Sequence, residues 1–111
     1  MKIIEGGITA AKGFYAASAA AGIKYQNRQD MALIYSESPC VSAGTFTTNL
    51  VKAAPVKWDK NQVTSGASAR AVVVNAGIAN ACTGAEGMEY CKEILSLIHV
   101  SLPAPAVSIA Q

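Results

Sequence analysis

The sequence predicts an α+β domain, a mixed sheet with one main helix over about residues 84–99. Three observations carry that expectation. Val72, Val73 and Val74 form a β-branched run suited to a buried strand. Met88, Cys91, Leu95 and Ile98 then recur at spacings of three and four, which makes one apolar helical face. Glu86, Glu89, Lys92 and Glu93 mostly occupy the other face. Pro103 and Pro105 close this helical region, and an apolar strand begins over residues 106–110.

Taken in order, Gly6, Gly7 and Gly13 give the first dozen residues a turn-and-extended character. Residues 14–25 are rich in Ala but carry no charged face, so a surface helix is disfavoured and a pair of strands turning near Gly22 is expected. Residues 26–30 are polar and read as a hairpin or loop. Residues 31–36 form a second apolar run, which Pro39 is expected to stop from continuing as a central strand. Residues 41–48 are β-prone through Val41, Thr45, Phe46, Thr47 and Thr48. Asn49 is placed to cap a single helical turn that Pro55 would end by removing a donor. The pattern over 56–62 is ambiguous, and 64–68 reads as a Ser/Gly loop. The sheet should therefore hold at least four strands.

The stretch from Arg70 to Gly84 is the most informative part of the chain. Its strand runs into a small-residue loop in which Asn75, Gly77 and Asn80 tolerate unusual backbone angles. Thr83 and Glu86 have capping-box spacing, with the hydroxyl accepting from an orphan amide and the carboxylate reaching back. A junction of this kind turns free N–H groups and a positive dipole end toward whatever lies beside it, which suits an anion.

Composition narrows the functional classes. The 111 residues are 51% hydrophobic, 14% charged and 6% aromatic, with net charge +2. Mean hydropathy is +0.28. One small domain, here a single unit over residues 1–111, hides less apolar surface than this composition carries, so assembly or membership of a larger fold is expected. Lys52, Lys57 and Lys60 surround Trp58 without an aromatic ladder, a solvated face and not a nucleic-acid surface. Cys40, Cys82 and Cys91 are an odd number, with no Cys-x-x-Cys and no nearby His to make a zinc site. Unpaired thiols fit a reducing cytoplasm. No apolar run reaches the ~18 residues of a membrane span. Residues 14–23 faintly resemble a signal-peptide core, but Glu5 precedes them and no basic leader exists.

Catalytic candidates are few. His99 is the sole histidine and sits near the predicted helix C-terminus, where a cation is favoured by the dipole. Cys82 precedes a helix N-terminus, which lowers a thiol pKa, but no base accompanies it. Asn75-Ala-Gly-Ile-Ala-Asn80 lacks the second and third glycines of a dinucleotide fingerprint, and no carboxylates pair at a fixed spacing.

Six stretches, in order along nearly the whole chain, carry a resemblance. Gly6, Gly7, Ile8, Thr9 and Ala10 with Lys12, Gly13 and Phe14 open it, followed by Ala20, Ala21, Gly22, Ile23 and Lys24. Asp30 to Ile34, the Ala43–Asn49 motif Ala-Gly-Thr-Phe-Thr-Thr-Asn, Lys52 to Val56, and Asn80-Ala-Cys-Thr-Gly84 continue it. The chain resembles the ornithine acetyltransferases, the bifunctional glutamate N-acetyltransferases of arginine biosynthesis. The resemblance implies a layered, N-terminal-nucleophile type of acetyltransferase fold, sheets covered by helices. It implies a precursor that cuts itself ahead of a threonine, which becomes the nucleophile of a second chain. That threonine would take acetyl from N-acetylornithine and pass it to glutamate by ping-pong exchange, with acetyl-CoA as a further donor in some members. A free α-amino group serving as base would explain the missing Ser-His-Asp set. No other cofactor and no metal are implied.

The departures matter equally. Family members continue after a strand like 107–111 into a Thr-Gly pair that resembles an oxyanion hole, and this sequence stops one residue short of it. The nucleophilic threonine, the cleavage site and the second chain lie outside the sequence. Ala11 stands where the family commonly has Pro, and Ile78 replaces a common Asn, removing a polar side chain from the signature loop. No catalytic or substrate-binding residue of the family therefore transfers to a numbered position here. The expectation is a truncated N-terminal portion of a larger fold, inactive alone. It would pair with a second chain in a hetero- or homo-oligomer and expose a sheet edge when isolated. Two alternatives stay open: a non-catalytic assembly subunit complemented by a separate chain, and a stand-alone enzyme with Cys82 as nucleophile.

Overall fold

In the computed structural model, residues 1–77, 84–101 and 107–110 are described, with the backbone alone over 99–101 and 107–110. After a 3-10 turn at Ile8–Ala10 come β1 (Phe14–Ala19), β2 (Met31–Cys40), α1 (Ala54–Thr64), β3 (Ala69–Asn75), α2 (Gly84–Ser101) and β4 (Val107–Ala110). The strands form one mixed sheet in the order β1-β2-β3-β4. The first two pairings are antiparallel and β3 runs parallel to β4. A parallel pair needs a crossover, and α2 supplies it. This is the α+β class that the sequence predicts, with the four strands and the main helix in place.

Strand register decides where the core sits. Leu33 stands opposite Ala17 on one side and Val73 on the other, and Tyr35 stands between Tyr15 and Ala71. Because side chains alternate across a strand, Met31, Leu33, Tyr35, Ala71 and Val73 share one face. On that face α1 and α2 bring in Ala54, Trp58, Cys91, Ile94, Leu95 and Ile98, closing a single apolar cluster. The alternate residues Ala32, Ile34, Val72 and Val74 lie on the opposite face and stay partly exposed. β1 is the open edge, exposed along its whole length after Phe14.

Five expectations change. Residues 14–25 give one strand where two were expected: the chain leaves β1 at Ala19, turns through Gly22 (φ 68°) and Asn27 (φ 55°), and re-enters at Met31. Residues 41–48 form no strand: Ser42, Gly44 and Phe46 lie against α1 and not beside a strand, and β propensity without a paired neighbour builds no ladder. Pro39 lies inside β2, in the register break between Tyr35 and Cys40, so its missing N–H falls in the interrupted stretch of the β2–β3 ladder. Pro55 opens a helix that the sequence expected it to end. It occupies the first turn of α1, where its N–H would have no partner in any case and its fixed φ is already helical. Asn49 caps no helical turn and accepts the Val51 N–H at 3.1 Å.

Arg70 locks the β2–β3 pair at the register break. Its guanidinium donates to the Ser36 carbonyl at 3.2 Å, the Tyr35 hydroxyl at 2.7 Å and the Glu37 carbonyl, and lies 5.2 Å from the Tyr35 ring centre. Each charge-assisted bond satisfies a carbonyl or hydroxyl that the bulged ladder leaves over. No helix among the described residues is long and apolar enough to cross a membrane.

Candidate functional site

The C-terminal end of β3 is where the chain builds its most constrained polar geometry. Asp30, 7% exposed, precedes β2 and turns its carboxylate back on residues 20–30. Oδ1 accepts the Ala21 N–H at 2.6 Å and Oδ2 accepts the Ile23 N–H at 2.7 Å. Those two donors, Ile23 first, hold the carboxyl below the usual carboxylate range against the opposing effect of burial. Its main chain works as well: the Asp30 N–H donates to the Ala19 carbonyl at 3.1 Å, and the Asp30 carbonyl accepts the Ala76 N–H at 2.9 Å. One residue thus closes the β1–β2 connection and ties the last turn of that connection to the end of β3.

Gly77 follows directly and rests on the loop that Asp30 organises. Its φ is +119°, and a Cβ there would meet the Lys24 Cβ at 3.1 Å and the Ile23 Cγ2 at 3.6 Å. Both conformation and space require glycine. Beside it, Asn75 carries a buried Oδ1 with no hydrogen-bond partner among the described residues. A small cavity of about 190 Å³ opens here, lined by Ser18, Gln29, Asp30, Ala32, Val74 and Asn75 among others. On the outer side Lys24 and Arg28 flank the Tyr25 ring at 5.3 and 5.4 Å.

The rest of the junction is only partly in view. Ile78, Asn80, Cys82 and Thr83 lie outside the described residues, as does the capping role expected of Thr83. Glu86 is in the first turn of α2, where a carboxylate suits the dipole, and accepts the Tyr90 hydroxyl at 2.7 Å. That bond pushes the Tyr90 hydroxyl pKa up. His99 falls in the last turn of α2, as the sequence predicts, with its side chain outside the description.

Among the described residues, two further concavities stand out. One of about 230 Å³ lies between residues 42–46 and α1, lined by Ser42, Gly44, Phe46, Asp59, Gln62 and Val63 among others. The other, about 250 Å³, is an apolar groove on the helical face formed by Ala17, Ala19, Met31, Leu33, Val73 and Ile98 with their neighbours. Of the thiols, Cys40 donates to the Ser36 hydroxyl at 3.2 Å. Cys91 is free and buried, and burial followed by the nearby Asp59 charge pushes its thiol pKa up, the opposite of activation. Among the described residues no three Cys, His, Asp or Glu side chains gather to hold a metal.

Sequence reasoning passed over Asp30 as a site-building residue. Its only local signal is an aspartate between a polar loop and an apolar strand, a pattern shared by many turn residues.

Comparison with known proteins gives a consistent result. The ArgJ family model matches residues 15–110. The arginine biosynthesis bifunctional protein ArgJ of Gloeobacter violaceus is 55% identical over 90 residues, 81% of this chain and 22% of that protein. The protein of the same name from Synechocystis is 44% identical over 108 residues, covering 97% of this chain and 26% of its relative. The crystal structure of the Bacillus halodurans ArgJ protein superposes with a TM-score of 0.87 at 34% identity, over 95% of this chain and 56% of that one. Mycobacterium tuberculosis ornithine acetyltransferase, solved in complex with ornithine, gives 0.81 at 41% identity, over 94% and 57%. The chain thus spans about a fifth to a quarter of the curated relatives it matches. With a family match running from β1 to the last residue of β4, and relatives 44% and 55% identical over 97% and 81% of the chain, the chain belongs to the ArgJ family.

Proposed function

We propose that residues 1–111 form the N-terminal part of an acetyltransferase of arginine biosynthesis that moves acetyl from N-acetylornithine to glutamate, with acetyl-CoA as a further possible donor. The observation that carries this reading is the superposition on the Mycobacterium tuberculosis ornithine acetyltransferase over 94% of the chain. In this reading the 111 residues supply framework: a sheet, two helices and the Asp30–Gly77 clasp at the end of β3. The nucleophile is a threonine exposed by self-cleavage on a second chain, and a Thr-Gly pair outside this sequence stabilises the oxyanion. The buried Cys91 thiol supports that division, since burial, with the Asp59 charge beside it, favours its protonated form. The working protein is a cytoplasmic assembly that includes the second chain.

Residues 1–111 alone, incubated with N-acetylornithine and glutamate, are expected to give no N-acetylglutamate above background. Clear turnover would overturn the assignment of the chemistry to the missing chain. A second reading, a non-catalytic assembly subunit, draws on the open β1 edge and the apolar groove beside α2. Co-expression with the remainder of a relative separates the two, because a complex without acetyl transfer supports assembly only.

A further inference from the structure

The clasp at the end of β3 has a consequence for the residues that follow it. Three features converge on Gly77. The Asp30 carboxylate fixes the backbone of Ala21 and Ile23 through bonds of 2.6 and 2.7 Å. The Asp30 carbonyl takes the N–H of Ala76, the residue just before Gly77, at 2.9 Å. The surface thus fixed, Ile23 and Lys24, is the one against which Gly77 lies, with its Cα too close to admit a Cβ without the Lys24 side chain giving way. We infer that Asp30 is a positioning residue for the signature stretch: by shaping residues 20–30 it sets the place and direction in which the chain leaves β3 at Gly77.

The physical argument is one of shared boundary. Asp30 is nearly enclosed and its carboxylate bonds reach residues seven and nine positions away, so its removal releases a whole connection and not a single side chain. The core cluster of Ala54, Ala71, Val73, Cys91 and Leu95 does not include Asp30 or its partners. Loss of the carboxylate should therefore act locally, freeing the end of β3 while the helical face stays packed. A residue that merely stabilised the fold would loosen both.

The backbone amides that Asp30 holds provide the readout. Amide hydrogen exchange of the purified chain under native conditions follows Ala21, Ile23 and Ala76 beside Asp30, with Cys91 and Leu95 in the buried cluster as the reference. For Asp30→Asn, the expected result is an increase of about tenfold in the exchange of Ala21, Ile23 and Ala76, with Cys91 and Leu95 within about twofold of the parent. Asp30→Glu keeps the charge but alters its reach and is expected to give the same selective increase, which covers the case in which Asp30→Asn fails to fold. Equal acceleration at both sets of amides would show a general structural role and overturn the inference. An unchanged Ala76 rate where Ala21 and Ile23 are released overturns it as well. The readout needs no acetyl transfer, so its failure leaves the proposed activity untouched.

Discussion

The Asp30 carboxylate accepts two backbone N–H groups, and that fixes the sign of a pH effect. Its folded pKa is lowered from 3.8, so folding favours the ionised form. The stability it contributes is fully present above 3.8 and is lost as pH falls through the lower folded value. Urea midpoints taken from pH 6 downward should therefore drop in the acid limb, and Asp30→Asn should flatten that limb. An identical acid limb in the variant would remove Asp30 from the account. The neighbouring core gives a simpler expectation. Leu95 is 7% exposed and packs in the only buried cluster described, so Leu95→Ala should cost about 2–4 kcal/mol in chemical denaturation. Cys91, buried and with a raised pKa, should react with iodoacetamide more slowly than Cys40 at neutral pH. Little of this was visible in the sequence. Leu95 and Cys91 announce themselves by helical spacing, whereas Asp30 depends on where residues 20–30 fold back, which no local pattern records.

At the scale of elements, periodicity revealed what packing also favours. The Val72–Val74 run became β3 and the three-and-four spacing became α2, because in both the apolar positions meet the core directly. α1 escaped for the opposite reason. Its buried residues are Ala54 and Pro55 at the first turn, with Trp58 half-buried one turn later, and no apolar stripe follows. The proline that looked like a terminator is an initiator, and this is testable. Pro55→Ala should change stability by less than about 1 kcal/mol, because the first turn needs no N–H there. Lys60→Pro, in the helix interior, should cost about 3 kcal/mol. Comparable losses for both would mean that the helix does not begin where it is placed. Residues 41–48 show the converse error: their propensity is real, but they lie against α1 and pair with no strand.

For the whole molecule, the sheet is covered by helices on one face and is open at β1. Ile3, Ile4, Val41, Leu50, Val51 and Leu97 are exposed. The isolated chain should therefore self-associate, and light scattering at high concentration should show oligomers; a monodisperse monomer would contradict this. The family was legible from six ordered stretches, yet the chemistry was not, because those stretches give no numbered position to which a catalytic role transfers. The central claim is that these residues are a framework that another chain makes active. Its most direct test is complementation. A relative lacking the segment that aligns with residues 1–111 is co-expressed with this chain and assayed for acetyl transfer from N-acetylornithine to glutamate. Turnover in the mixture and none from either part alone is the predicted result; turnover from residues 1–111 by themselves would contradict it.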